Sequence, residues 1–550
     1  VKTGEADKLQ ATVLKRFGPI HRWSGHLSLP IKAGLLVFLM SFGFYAATTQ
    51  QLVGYEPETG AITEGLVLEG HFWDVDNAAI PSLEAGFPGR GGHLYGRTGL
   101  LQPLLEAPFY AAGHFIDGHF GWAEPNPYRL VFLWFYNPFV AALAAVAMFA
   151  LVYLTRKSVG WAAAIAALFV FASLAWPYAK IGMETTFMFA VLAAFAFAAW
   201  ARDRPTVAAW SATGFAAGAV AATKPYGAIS FLPLAIMLWP IWSGLDRRRQ
   251  LRLGLAAVLP VLAWLVAIGW YNWVRFGSLT DFGYPESSLT LSMPLNALGM
   301  LFSPGKGLIL YSPLVILGVL GLPRLWRADR WLTVALLVLF AALTCLSGAS
   351  TYWGDEVWGP RYLVPAAWTL LVPIAWWADT STRRRALAGL TVVAFAIQLV
   401  GASAYYGQYA SVVNRLTGVP IYAERAGVDP EQIPYGDDPT RWIPQLSPLL
   451  LQTEGLISTQ ILEPLGGNGL YATYDPFEGR SRTVNLSDTG VRLELDYYWH
   501  SVFPTLGARV FAALMLVLSL LSGFGLYRLA SRRRISRPGP PSHPVRAGSY

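Results

Sequence analysis

"IKAGLLVFLMSFGFYAATTQQLVGYEPETGAITEGLVLEGHF" (Ile31–Phe72) sets an apolar run directly against an acidic one. Ile31–Thr48 carries a single charge, Lys32. A helix of about 20 apolar residues spans roughly 30 Å of hydrocarbon, so this run reads as a membrane crossing. Glu56, Glu58, Glu64 and Glu69 follow it at once. The rest of the chain repeats the apolar signal. Charged residues make up 13% of the 550 and hydrophobic ones 54%, with a mean hydropathy of +0.41. Soluble domains carry about 25% charged residues. A deficit spread along the whole length reads as an all-α polytopic membrane protein.

Twelve candidate spans emerge, at about 31–50, 129–154, 159–178, 182–201, 206–223, 226–243, 252–274, 305–323, 331–349, 361–379, 385–404 and 507–529. The Gly- and Ala-rich 206–223 span suits a buried position, because small residues let helices approach closely. With the N-terminus placed in the cytoplasm, the cytoplasmic turns are "TRKS" (155–158), "ARDR" (201–204), "DRRRQLR" (246–252), "PRLWRADR" (323–330), "TRRR" (382–385) and "SRRRISR" (531–537). All are basic, as the positive-inside rule requires. Topology therefore explains the net charge of +8 better than a nucleic-acid partner does. The opposite side receives 51–128, 275–304, 350–360 and 405–506, with most of the acids. The implied organisation is a cytoplasmic segment (1–30), a transmembrane module (31–404, with 51–128 as its first outer loop), an extracytoplasmic cap (405–506), a last span (507–529) and a basic tail (530–550). The tail is expected to be disordered, and the basic start is expected to carry no cleavable signal peptide. The lone Cys345 sits in an apolar run and reads as a core thiol that forms no intrachain disulfide.

In the first outer loop, a short helix over Glu58–Gly70, opened by Pro57, precedes a glycine-rich loop, "FPGRGGHLYGRTG" (Phe87–Gly99). "LLQPLLEAPFYAAG" (Leu100–Gly113) then reads as an amphipathic stretch suited to an interface. The cap mixes turn signals with strand-like runs such as "TVNL" and "VRLELDYYW". Six cations, Arg90, Arg97, Lys180, Lys224, Lys306 and Arg361, fall on the outer side against the topological trend. Ionisable groups at such positions are costly and usually functional. Pairing with outer-loop acids is the plain alternative. Lys306 in "LFSPGKGLILYSP" and Arg361 in "YWGDEVWGPRYLVP" both sit at expected helix starts, where free N–H groups and a cation together suit an anion. A guanidinium there can fork two phosphate oxygens, with Glu356 as the alternative partner for Arg361. Glu184 in "KIGMETTF" opens a span on the outer side, either lining a cavity or favouring the helix dipole.

Taken in order, "YEPETGAITEGLVLEGHF", "HLYGRTGLLQPLLEAPFYAAG", "SPGKGLILYSP" and "WGPRYLVP" resemble the GT-C superfamily of integral membrane glycosyltransferases. The likeness is to the branch with the protein O-mannosyltransferases and the aminoarabinose transferase of lipid A. The resemblance implies a polyprenyl-phosphate sugar donor and inverting transfer to an extracytoplasmic hydroxyl on a glycan, lipid or protein. It also implies a carboxylate of the first outer loop as general base, and residence in a bacterial plasma membrane. The family's Asp-Glu pair falls on Tyr55–Glu56, so its aspartate is absent here; Glu56 or Glu58 takes the role, with Asp74, Asp76 and Asp355 as further candidates. Arg97 matches the family's basic Y-x-[KR] position and, with Lys306 and Arg361, would contact donor phosphate. Tyr95, Glu184, Lys224, Asp355 and Glu356 complete the implied cavity. No cofactor is required by this chemistry; a divalent metal near His93 is conceivable, though the spacing does not favour one. The competing readings are a secondary transporter or flippase, a diphosphate-donor glycan ligase or polymerase, and a noncatalytic subunit of the same fold. Twelve spans fit a transporter, but no repeat relates the two halves.

Overall fold

The computed structural model describes residues 27–49, 56–71, 87–96, 98–120, 127–283, 292–349, 353, 357–404, 409, 413, 439–442, 444–465, 470–474, 481–485, 495–502 and 504–535. The chain is built from helices α1 (Leu29–Ala47), α2 (Glu56–Leu68), α3 (Leu101–Phe120), α4 (Pro127–Arg156), α5 (Val159–Phe171), α6 (Gly182–Asp203), α7 (Val207–Thr223) and α8 (Phe231–Trp242). These are followed by α9 (Arg247–Phe276), α10 (Met293–Phe302), α11 (Leu314–Ala328), α12 (Arg330–Gly348), α13 (Ser381–Ser403), α14 (Pro448–Ile457) and α15 (Leu506–Ile535). Two small antiparallel hairpins are present among the described residues: β1 (Phe87–Pro88) with β2 (Leu94–Tyr95), and β3 (Leu470–Tyr474) with β4 (Ser481–Asn485).

Eight helices among the described residues are long and apolar enough to cross a membrane, and they coincide with eight of the twelve predicted spans. The chain is an all-α polytopic membrane protein. The other four predicted spans are shorter or interrupted. The segment 159–178 divides into α5 and a turn over Ala175–Tyr178, and α7 has 17 residues. The segment 305–323 breaks at Ser312–Pro313 into Leu308–Tyr311 and α11. The segment 361–379 is a chain of short turns (Arg361–Leu363, Val364–Ala367, Trp368–Leu370, Ile374–Trp377), with Pro360, Pro365 and Pro373 removing donors that a continuous helix needs. These non-helical stretches are buried, the condition under which irregular backbone is tolerated at membrane depth.

The basic turns terminate helices as well as carrying charge. Ser158, Thr206, Asp246, Asp329 and Thr380 each cap a following helix by accepting backbone N–H groups. They gather at one end of the bundle, where Lys157 pairs with Asp203 at 2.5 Å, Arg202 with Asp329 at 2.9 Å and Arg383 with Asp379 at 2.6 Å. The interior centres on α6, of which 89% of the apolar window is buried, whereas in α9 only 6% is. α7 joins the two: Gly214 and Gly218 let the backbone and Trp264 of α9 come so close that a Cβ would overlap them. Outward-facing leucines on α9 and α15 form the apolar exterior expected where lipid is the solvent. Cys345 belongs to that exterior; it is exposed, because α12 turns Leu339 and Leu343 inward instead, and the expected core thiol is not observed.

At the other end, the closing part of the last outer segment is stitched to the helices. Asp496 N donates to Ser403 O (2.8 Å), Trp499 Nε1 to Ala47 O (2.9 Å) and Tyr498 N to Thr49 O (3.2 Å) before α15 begins. The run "VRLELDYYW" forms no named strand among its described residues; only Leu495 bridges to Ala404.

Candidate functional site

Three charged side chains far apart in sequence meet in the interior at the end opposite the basic turns. The first turn of α6 presents Glu184, the residue after α7 is Lys224, and Arg361 opens the turns after Pro360. Because α6 and α7 are consecutive and antiparallel, the start of one and the end of the other lie side by side. Lys224 Nζ lies 2.9 Å from Glu184 Oε1, Arg361 Nε 2.9 Å from the same oxygen, and Arg361 Nη2 3.3 Å from Oε2. The side chains retain 8%, 2% and 9% exposure for Lys224, Glu184 and Arg361. Lys224 also lies 5.8 Å above the rings of Phe187 and Tyr226. Two cations therefore converge on one carboxylate in a low-dielectric setting. Arg361 thus pairs with Glu184; Glu356, the partner weighed from sequence, lies outside the described residues.

Lys306 is fully buried in the turn Ser303–Gly307. Ser303 Oγ accepts from Lys306 N (3.1 Å) and Ser303 O from Gly307 N (2.9 Å). Gly305 N donates to Arg441 O (3.1 Å), and a Cβ at Gly305 would strike the Thr440 carbonyl. Tyr311 ties this turn to the Arg361 loop. Its hydroxyl donates to Gly305 O (2.8 Å) and accepts from Leu449 N (3.0 Å), while its ring meets Trp358 edge-on at 4.9 Å and fills the space beside Gly359. Gly359 has φ +61°, a backbone that glycine adopts without penalty. The structure corrects the helix-start expectation at both cations. The helical turns that follow, Leu308–Tyr311 and Arg361–Leu363, are too short to build a macrodipole, so any anion affinity rests on the side-chain charges.

Lys180 sits at the corner between α5 and α6. It donates to Ala404 O (3.3 Å), and burial lowers its pKa to about 8, partly offset by Asp496. With Tyr178, Trp358 and Gln452 it lines a cavity of about 10 Å³, room for roughly one water.

The first outer loop folds against this end. α2 begins at Glu56, so the backbone of Glu56 and Glu58 forms its first turn; their side chains lie outside the described part. Arg97, Asp74, Asp76, Asp355 and Glu356 lie outside the described residues as well. Tyr95 is buried in β2, with its hydroxyl donating to Arg90 O (2.9 Å) and its ring on Phe276 (6.0 Å). Exposed Arg90 stacks over Trp273 at 4.6 Å. Three residues missed from sequence shape this region. Arg275, 2% exposed, packs on Tyr271 at 3.7 Å and donates to Asn272 Oδ1 (2.7 Å) and to the carbonyl of Gly96, the residue before Arg97. Arg441 stacks over Trp353 at 4.9 Å beside the Lys306 turn. Glu106 on α3 is 1% exposed, accepts from Thr63 Oγ1 of α2 (3.0 Å) and from Gln102 Nε2 (2.7 Å), and burial raises its pKa to about 7. Only a buried outer-loop acid inside an apolar run could have flagged Glu106; Arg275 resembles any interfacial arginine in sequence. Among the described residues no cluster of His, Cys, Asp and Glu is arranged to hold a metal, and His93 is exposed.

No family model matches the sequence, and no curated protein matches it. Among solved structures, the fold is similar to the oligosaccharyltransferase of Archaeoglobus fulgidus in its apo form, at 13% identity and a TM-score of 0.43, covering 68% of this chain and 54% of that one. The chain therefore spans about half the length of that protein. At this level of similarity no residue role, donor or acceptor is transferred.

Proposed function

We propose that the chain is an inverting membrane glycosyltransferase of GT-C type, which moves a sugar from a polyprenyl-phosphate donor to an extracytoplasmic acceptor hydroxyl. The observation that carries this reading is the buried Lys224–Glu184–Arg361 cluster, joined through Tyr311 to the Lys306 turn, at the end of the bundle where the acid-bearing helix α2 packs. Cations held in the interior suit a group that gains negative charge as it leaves, which is what lipid phosphate does. In the proposed reaction Glu56 or Glu58 accepts the proton of the acceptor hydroxyl. The hydroxyl oxygen attacks the anomeric carbon, the bond from that carbon to the phosphate oxygen breaks, and the electron pair leaves on lipid phosphate. An aqueous glutamate, with a reference pKa of about 4.3, is ionised and ready at neutral pH. Such a base is worth roughly 10²–10⁴ in rate.

Arg97, Lys306 and Arg361 are assigned to donor phosphate, and Tyr95, Lys224, Glu184, Asp355 and Glu356 to the cavity wall. The basic turns are assigned to the cytoplasmic side of a bacterial plasma membrane, and the segment 405–506 to an extracytoplasmic cap at which a glycan, lipid or protein acceptor docks. The test is turnover of the purified protein in lipid with a panel of radiolabelled polyprenyl-phosphate sugars. Release of lipid phosphate from one donor is expected. Flux of a substrate across sealed vesicles with every donor left intact would replace this reading with that of a transporter.

A further inference from the structure

Glu106 is buried and charged in type, and the reaction proposed above does not use it. Its two hydrogen bonds reach different helices: Gln102 belongs to α3 with Glu106 itself, and Thr63 belongs to α2. The Thr63 hydroxyl has a second neighbour, the carbonyl of Thr59 at 2.8 Å, against 3.0 Å to Glu106 Oε2. A hydroxyl holds one proton and can give it fully to one of the two. If Glu106 is protonated, both contacts are satisfied: Glu106 donates to Thr63 Oγ1, and Thr63 donates to the Thr59 carbonyl. The raised pKa of Glu106 is in keeping with that arrangement. The chain Glu106–Thr63–Thr59 then ends on the α2 backbone one residue from Glu58 and three from Glu56. Thr59, Ile62 and Thr63 are each fully buried, and Gly60 and Ala61 between them are buried as well, so this whole turn of α2 is enclosed by the body of the protein. The N-terminal end of α3, which carries Glu106 in its second turn, is fixed to the bundle too: Gly99, two residues before the helix, lies so close to the carbonyls of Ala222 and Thr223 that a Cβ would overlap them, and Lys224 is the next residue. α3 is therefore the strut between the acid-bearing helix and the buried cation cluster.

We propose that Glu106 is a positioning residue which, through Thr63, sets where the carboxylates of α2 stand relative to the Lys224–Glu184–Arg361 cluster; this rests on the transferase reading above. Glutamine at 106 reproduces the protonated acid, its amide donating to Thr63 and its oxygen accepting from Gln102. Leucine at 106 and valine at 63 break the chain. A misplacement near 1 Å at a reacting group costs about 10²-fold in rate.

The test combines kinetics with a distance. In a Cys345→Ala background, spin labels at the exposed positions Leu68 on α2 and Phe115 on α3 report the separation of the two helices by pulsed dipolar spectroscopy. The wild type and Glu106→Gln are expected to share one narrow distance and the same kcat. Glu106→Leu and Thr63→Val are expected to broaden or shift the distance and to lower kcat by about 10–100-fold, with donor KM within about twofold. Unchanged distance and kcat in Thr63→Val, which removes a single hydroxyl and stays folded, would overturn the proposal. So would a shifted distance with unchanged kcat, or a Glu106→Gln variant as impaired as Glu106→Leu. If the wild type consumes no donor, the transferase reading fails by itself, and the distance measurement alone decides whether Glu106 positions α2.

Discussion

Removing Glu184 takes a shared carboxylate from two buried cations. In the native cluster its carboxylate makes three hydrogen bonds of 2.9, 2.9 and 3.3 Å to groups with less than a tenth of their surface exposed. Breaking a buried ion pair by deleting one partner costs about 3–5 kcal/mol, because an uncompensated charge stays behind; replacing a whole buried cluster by apolar groups of similar volume is about neutral. Glu184→Leu is therefore expected to lose about 3–5 kcal/mol of unfolding free energy, measured by steric trapping in lipid bicelles. The triple variant Glu184→Leu, Lys224→Met, Arg361→Met is expected to regain most of that stability while failing to bind lipid phosphate. The contrast separates fold from function: a cluster that is costly to break yet neutral to replace is not needed for stability, which leaves the proposed phosphate binding as what its loss would abolish. A Glu184→Leu loss below about 1 kcal/mol would refute the reasoning, since the carboxylate would then contribute little to holding the two cations. A triple variant as unstable as the single one would refute it equally.

Three further outcomes follow from the same geometry. Glu106 binds a proton more tightly in the folded state, its pKa rising from 4.5 to about 7, so its contribution is fully present below about pH 4.5 and is lost as pH rises to about 7; at roughly 1.4 kcal/mol per pH unit the fall is about 3 kcal/mol, and Glu106→Gln should flatten that limb of a stability–pH curve. Gly305→Ala pushes a Cβ into the Thr440 carbonyl and should lift the 439–441 turn off the Lys306 loop, costing about 1–3 kcal/mol and weakening lipid-phosphate affinity in an equilibrium binding assay. Arg275→Met gives up charged hydrogen bonds to Gly96 and Asn272, worth about 1.5–3 kcal/mol each, and should raise donor KM by loosening the backbone next to Arg97.

The long helices were legible because lipid imposes one rule on every span: a helix of sufficient apolar length. The turns between helices were legible because each pairs a basic cluster with a neighbouring residue that caps the next helix, as Asp246 and Asp329 do. The interrupted spans were not, since 305–323 and 361–379 are apolar enough to pass while Pro313, Pro365 and Pro373 divide them, and the broken backbone lies buried in the bundle with short-turn hydrogen bonds in place of a continuous helical ladder. Glu184 was noticed for its place at a helix start, but its partners lie 40 and 177 residues away, and no local pattern ties them together. Lys306 and Arg361 were noticed for helix starts that turned out to be single turns; what holds them is Tyr311, an aromatic indistinguishable in sequence from its many interfacial neighbours. Glu106 was passed over inside an amphipathic run, where an acid ordinarily faces water.

The measurement that bears most directly on the proposed chemistry is turnover of a polyprenyl-phosphate sugar by the wild type beside Glu56→Gln and Glu58→Gln, each checked for intact folding in lipid. The account predicts lipid-phosphate release by the wild type, its loss by about 10²–10⁴-fold in one of the two variants, and near-normal turnover in the other. Undiminished turnover in both variants would contradict it, because the carboxylate that accepts the proton would then lie elsewhere.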